Sequence, residues 1–183
     1  HERLLSIIIL FATGIGLGAS LIGDIFLLKS LRDLRISKKE VDILRTIGEV
    51  VHSALALLLL AGGAFWITHG GITSATSLVI IQIIAVALLL VAAFALNVIV
   101  VPRLAKISFT EAHLHIRGEL HALRKIALAL AAVSLVSWSF LFFAVTINIE
   151  ILMTIPIASF FLIALVLVVA MSQFYEHMIG IED

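Results

Sequence analysis

Residues 50–102, VVHSALALLLLAGGAFWITHGGITSATSLVIIQIIAVALLLVAAFALNVIVVP, decide the fold because they contain no Asp, Glu, Lys or Arg. A helix of about 20 apolar residues crosses the roughly 30 Å hydrocarbon core of a bilayer. This stretch is long enough for two such helices. Residues 69–76, HGGITSAT, break it with glycines and small polar residues. Such residues favour turns, so the stretch predicts two membrane-spanning helices joined by a loop.

Three more uncharged runs lie outside this stretch, at residues 4–23, 126–149 and 151–175. Together these runs predict an all-α polytopic transmembrane helical bundle that forms a single domain over residues 1–183. Its five spans are predicted at about residues 4–28, 48–68, 77–101, 124–146 and 151–175. Pro156 leaves open a four-span alternative in which the last run is re-entrant, although proline near the start of a helix costs little.

The composition agrees with a membrane protein. Hydrophobic residues make up 62% of the chain and charged residues 13%, with a mean hydropathy of +1.25, whereas soluble domains are about half apolar and a quarter charged. Twelve basic and twelve acidic residues balance, so no nucleic-acid partner is indicated. The absence of cysteine excludes disulfides, thiolate-held iron–sulfur clusters and a cysteine nucleophile. The lipid bilayer is the predicted partner, and a homo-oligomer or a partner subunit is left open.

Basic residues concentrate in two of the predicted loops. Spans one and two are separated by Lys29, Arg32, Arg35, Lys38, Lys39 and Arg45, and spans three and four by Arg103, Lys106, Arg117, Arg124 and Lys125. Lys and Arg are enriched in cytoplasmic loops. We therefore predict a multi-pass protein of the cell (inner) membrane, with its N-terminus outside and its C-terminus in the cytoplasm.

The same two loops share a short motif, Ile36-Ser37-x-x-Glu40 and Ile107-Ser108-x-x-Glu111. Ser and Glu at this spacing form a capping box, which predicts helical cytoplasmic extensions at residues 29–47 and 103–123. An internal repeat would make the first two spans equivalent to the next two. The core would then be a pseudo-twofold four-helix bundle of two helical hairpins plus one extra helix. Chance similarity between two amphipathic loops is the alternative.

Four polar residues, Asp24, Glu49, His52 and Asn97, fall near the cytoplasmic ends of the first three spans. Polar side chains at membrane depth face one another or a wet cavity, because exposure to lipid is costly. They are predicted to form a polar intramembrane cluster, which can line a proton or ion path. A structural alternative pairs Asp24 with Arg45 or a loop lysine.

Histidines suggest two further kinds of site. The repeat aligns His52 with His121, and two histidines from facing helices are the axial ligands of a b-type haem. Glu111, His115 and Glu119 lie on one helical stripe, a pattern that can hold a divalent metal or simply form a solvated face.

Span one is rich in small residues, namely Gly14, Gly16, Gly18, Ser20 and Gly23. Small residues four apart let a second backbone approach closely within a membrane. They indicate either tight packing inside the bundle or a homodimer interface.

Four segments carry a family resemblance: residues 23–28 (GDIFLL), 36–45 (ISKKEVDILR), 101–104 (VPRL) and 134–138 (SLVSW). In these the chain resembles a group of uncharacterised small bacterial multi-pass membrane proteins. Their plan is similar to the copper-resistance D and protoporphyrinogen oxidase J type membrane proteins, some of which are linked to haem or copper. The early-span histidine of the oxidase type has no match in span one.

The function predicted from these features is that of an integral membrane protein that binds haem or another redox cofactor at its cytoplasmic side. The alternative is transport of protons, ions or small solutes, or a role as an accessory subunit of a larger membrane complex. No phosphate-binding loop, serine elbow or zinc protease motif is present, so an enzyme of the soluble kind is not indicated.

Overall fold

A computed structural model describes residues 2–33, 38–68, 77–103, 117–146 and 154–181, and these residues are entirely helical. The helices are α1 (Glu2–Asp33), α2 (Lys38–Thr68), α3 (Ser77–Phe94), α4 (Arg117–Thr146) and α5 (Thr154–Ile181). A π-helical segment, Ala95–Val100, continues α3, and the helix extends through residue 103.

Four of the helices are long and apolar enough to cross a membrane, over Arg3–Lys29, Lys39–Thr68, Val79–Arg103 and Lys125–Thr146. Their outer faces expose large hydrophobic side chains. Soluble proteins rarely expose such a continuous apolar surface to water. Examples on different helices are Phe11, Leu60, Val91 and Phe143. The predicted all-α fold is thus confirmed for the described residues, and four of its helices could span a membrane.

Helix α5 is continuous, and Pro156 falls in its first turn. Proline is tolerated there because the N–H groups of the first turn have no partner within the helix. Its 28 residues give a length of about 42 Å. Its apolar centre within the described residues is Ala158–Met171.

Neighbouring helices run antiparallel, as three contacts show. Ile47 on α2 lies against Gly23 on α1, and the hydroxyls of Ser20 on α1 and Ser134 on α4 are 3.1 Å apart. The Gln173 side chain on α5 donates to the backbone carbonyl of Lys125 on α4. This arrangement brings one end of every helix to a common end of the bundle. We call it the basic end, because its described residues include Lys29, Lys39, Arg45, Arg103 and Lys125.

The predicted pseudo-twofold symmetry is not confirmed. Helix α1 packs extensively against α2 and α4, and α4 also packs against α3 and α5, whereas α2 and α3 touch over a small area. A twofold axis would make the α2–α3 contact match the α1–α4 contact. Most of the repeated motif, including Ser37 and residues 107–111, lies outside the described residues. The internal repeat stays a prediction.

The small residues of α1 pack inside the bundle. Gly16 lies against the indole ring of Trp138, which is fully buried, and a Cβ added at Gly14 would lie 3.8 Å from Phe142 Cε2. Ser20 pairs with Ser134. These contacts support internal packing over a homodimer interface for this part of α1.

Candidate functional site

A layer of polar side chains separates two apolar clusters of the core. The larger cluster draws on all five helices and includes Leu55, Leu89 and Trp138, while the smaller one, at the basic end, includes Leu27 and Val100. Between them lie four residues that we call the polar layer: Ser20, Asp24, Asn97 and Ser134. On α1 this layer stands about 7.5 Å from the basic end, since Asp24 precedes Lys29 by five residues.

The polar layer lines an inner cavity of about 60 Å³ within the bundle. One water occupies about 10–15 Å³ on this measure, so the cavity has room for a few waters or for a hydrated ion. Ser20 and Ser134, which both line it, are buried, and their hydroxyls are hydrogen-bonded to each other. Within the described part of the chain, no side chain forms an ion pair or hydrogen bond with Asp24.

Asn97 sits in the π-helical segment that continues α3. Here the Val101 N–H donates to the Leu96 carbonyl, five residues earlier, instead of to the carbonyl four residues earlier. Pro102 explains the wider turn, because proline lacks an N–H and its ring clashes with the carbonyl four residues before it. Short π-helical segments often occur at functional sites. In this one the widened turn presents Asn97 to α2.

Gly48 makes room for the Asn97 side chain on the surface of α2. A Cβ at position 48 would lie 2.7 Å from Asn97 Nδ2 and 2.8 Å from its Cγ, and would overlap Oδ1. The amide therefore rests directly on the α2 backbone. Through this close approach, the π-helical end of α3 packs against α2 beside the basic end.

The hydrogen bonds of His52 determine which of its ring nitrogens is free. Nδ1 lies 2.7 Å from the Gly48 carbonyl oxygen, one turn earlier on α2, and 3.2 Å from Asn97 Nδ2. A carbonyl can only accept, so the shorter contact requires a proton on Nδ1. The neutral imidazole then leaves Nε2 with an open lone pair. A backbone carbonyl that holds Nδ1–H in this way is the usual support of a metal-ligating histidine.

His52 lines a second space, the outer groove, between α2 and the end of α3. Its volume is about 680 Å³, within the roughly 300–1,000 Å³ typical of small-molecule sites. Its walls are formed by Val41, Arg45, Gly48, Glu49, His52, Ser53, Asn97, Val101 and Pro102. Gly48, Asn97 and Val101 line both spaces, so the inner cavity and the outer groove adjoin at these residues.

The structure distributes the predicted polar cluster between these two spaces. Asp24 and Asn97 line the inner cavity, and His52 Nδ1 lies 3.2 Å from Asn97 Nδ2 on the groove side. Glu49 lies in the groove wall, where it is largely exposed and pairs with Arg45 at 3.6 Å. The alternative pairing of Asp24 with Arg45 is therefore not what the structure shows.

The remaining predicted site residues lie outside the described part. Glu111 and His115 fall in residues 104–116, and the side chains of Glu119 and His121 are likewise not described. Among the described residues, no group of three His, Asp or Glu side chains converges on one point. The metal stripe and the pairing of His52 with His121 stay predictions.

Sequence reasoning missed three members of the site: Ser20, Ser134 and Gly48. Serines within an apolar span resemble packing residues, and the sequence does not reveal which two will meet. Gly48 is a helical glycine whose role depends on a residue 49 positions later. Pro102, five residues after Asn97, is the signal from which an irregular turn could have been predicted there.

Replacing Gly48 with alanine should displace the Asn97 amide from α2. Because a short, flexible side chain can rotate away, we expect a loss of only about 1 kcal/mol in the free energy of unfolding. Gly62→Ala on the same helix is the matched control, since nothing lies within 4 Å of its Cβ and alanine raises helix propensity. Thermal unfolding in detergent measures both variants, and equal unfolding temperatures would contradict the contact.

Comparison of the chain with models of known protein families, with curated proteins and with solved structures finds no match. The resemblance noted from the sequence therefore stays a prediction. The function has to be argued from the chemistry of the two spaces.

Proposed function

We propose that this integral membrane protein crosses the cell membrane five times, with its basic end in the cytoplasm. The described basic residues other than Arg3 lie at or near that end, and the positive-inside rule places such an end on the cytoplasmic side. Helix α5 is long enough to cross, and its contact with Lys125 through Gln173 places the later part of α5 near the same end.

Single cysteines test this orientation cleanly because the chain has none of its own. Lys29→Cys, Lys125→Cys and Gln173→Cys should react with a membrane-impermeant thiol reagent only in inside-out vesicles. Thr68→Cys should react only in right-side-out vesicles. Labelling of Gln173→Cys from the outside would support the four-span alternative and overturn the five-span proposal.

We further propose that the outer groove binds haem or a redox cofactor of similar size. The observation that carries this proposal is the arrangement of His52, whose Nδ1 is held by the Gly48 carbonyl while Nε2 has no partner among the described residues. A fixed imidazole with one open nitrogen is what an axial ligand to iron requires. Pairing of His52 with His121 as a second ligand remains part of the proposal.

The rest of the groove suits such a cofactor. Its volume of about 680 Å³ matches a drug-sized or larger ligand. Val41, Val101 and Pro102 provide apolar walls for a macrocycle. Arg45 is largely exposed at the rim, and a guanidinium there can bind the carboxylates that haem carries. When bound, haem would supply one-electron chemistry, and this chain's residues would supply its ligand and orientation.

Titration of haem into the purified, haem-free protein is the test. We expect a Soret band that shifts and sharpens on binding and saturates at about one haem per chain. Titration with a quinone, followed by a change in its own absorption, tests the other redox class. An unshifted Soret band together with no change in the quinone spectrum would contradict the redox proposal.

A second candidate function is a path for protons, ions or small solutes. The observation that favours it is the inner cavity, which places Asp24 and Asn97 at membrane depth beside a space large enough for water. Asp24→Asn should then abolish a flux measured in liposomes that contain the purified protein. Wild-type liposomes with no flux above empty ones would remove this candidate, and leave a role as an accessory subunit.

A further inference from the structure

The unexplained group of the inner cavity is the carboxylate of Asp24. It lies within a membrane-spanning helix and has no ion-pair or hydrogen-bond partner among the described residues. Arg45, the cation in the groove wall, forms an ion pair with Glu49 at 3.6 Å. An uncompensated charge at this depth is costly. The carboxylate is therefore neutralised either by a proton or by a cation that the described residues do not supply.

Four side chains of an otherwise apolar lining carry oxygen atoms, the kind of donor that binds small hard cations. Asp24 offers carboxylate oxygens, Ser20 and Ser134 offer hydroxyl oxygens, and Asn97 offers an amide oxygen. Ser20 precedes Asp24 by four residues, so the two lie on the same face of α1, one turn apart. Oxygen donors of this kind favour hard ions over soft transition metals, which prefer thiolate or imidazole. Waters in the remaining volume can complete the coordination.

The charge of the ion follows from the number of acidic groups. Among the described residues, Asp24 is the only carboxylate that lines the cavity. A monovalent cation neutralises it, whereas a divalent cation would leave one net positive charge inside the bundle, where such a charge is unfavourable. We propose that the inner cavity is a binding site for Na⁺, formed by Asp24, Ser20, Ser134 and Asn97.

The proposed haem ligand, His52, does not line the inner cavity, although Asn97 lines both spaces. A Na⁺ site here would serve the transport function proposed above. Na⁺ binding can nevertheless be measured on the purified protein without a flux assay. Failure of Na⁺ binding would leave the haem proposal untouched, and failure of haem binding would leave the Na⁺ site untouched.

The test is thermal unfolding of the protein in detergent, with Na⁺, Li⁺, K⁺, Ca²⁺ or the large organic cation N-methylglucammonium at constant ionic strength. Saturating Na⁺ should raise the unfolding temperature of the wild type by about 5 °C or more over the organic cation. Equal unfolding temperatures in all five salts would overturn the proposal, and would mean that a proton alone neutralises Asp24. A larger shift with Ca²⁺ or with K⁺ than with Na⁺ would overturn the assignment to Na⁺.

Three variants test whether the Na⁺-dependent rise in unfolding temperature arises at the inner cavity. Asp24→Asn should lose the Na⁺-dependent shift and, in the absence of Na⁺, be at least as stable as the wild type, because it carries no unpaired charge. Ser134→Ala should weaken Na⁺ binding about fivefold or more, and keeps the proposal testable if Asp24→Asn fails to fold. Asp42→Asn removes an exposed carboxylate on α2 and should keep the wild-type shift. A full Na⁺ shift in Asp24→Asn would contradict the site.

Discussion

Replacing Gly16 with alanine should lower the unfolding temperature of the purified protein by about 6–12 °C. A Cβ at position 16 would overlap three ring carbons of Trp138. The indole ring is fully buried and belongs to the larger apolar cluster. Unlike a flexible side chain at the surface, it has no space into which to move. We therefore expect a cost near the upper end of the 1–3 kcal/mol range for overpacked cores, about 3 kcal/mol.

Gly18→Ala is the matched control for this prediction. It lies two residues along α1, and a Cβ there would meet nothing within 4 Å. Alanine has the higher helix propensity, so Gly18→Ala should leave the unfolding temperature unchanged or raise it slightly. In the double variant Gly16→Ala, Trp138→Leu, the smaller side chain should recover part of the loss, since the two positions are in contact. Equal unfolding temperatures for Gly16→Ala and Gly18→Ala would show that α1 and α4 do not pack as described.

Replacing His52 with alanine should weaken haem binding by at least about 100-fold. Loss of a group that merely supports a ligand typically costs about 10–100-fold, and here the proposed ligand itself is removed. His52 is exposed and lines the groove, so the fold should survive the change. The measurement is the Soret titration carried out on both proteins under the same conditions.

Ser53→Ala provides the control in the same groove. Its hydroxyl donates to the Glu49 carbonyl of its own helix, and we expect haem affinity within about twofold of the wild type. Free imidazole added to His52→Ala should restore a Soret band by occupying the vacated ligand position. Unchanged haem binding by His52→Ala would contradict the proposed ligand.

Much of the fold was predictable from one property of the sequence, the length of its uncharged runs. A run of about 20 apolar residues has few options other than a membrane-spanning helix, so the locations of the helices followed directly. The distribution of lysine and arginine similarly indicated which helix ends lie together at the basic end. Lateral packing was less predictable. Nothing in the sequence shows that α2 would meet α3 over only a small area, because hydropathy does not record which faces of two helices come together.

The site was partly predictable for the same reason. Asp24 and Asn97 stood out because polar side chains at membrane depth need polar surroundings. Depth alone did not reveal that His52 and Glu49 would line an outer groove and not the interior. That division depends on the close approach of Asn97 to Gly48 and on the widened turn before Pro102. Both are contacts between distant parts of the chain.

The central claim is that His52 holds its proton on Nδ1 and leaves Nε2 free to bind a ligand. Nitrogen NMR of ¹⁵N-histidine-labelled, haem-free protein measures this directly, because protonated and bare ring nitrogens differ strongly in chemical shift. The His52 signals are assigned by their loss in His52→Ala. We predict a protonated Nδ1 and an unprotonated Nε2. A proton on Nε2, with Nδ1 bare and accepting from Asn97, would contradict the account.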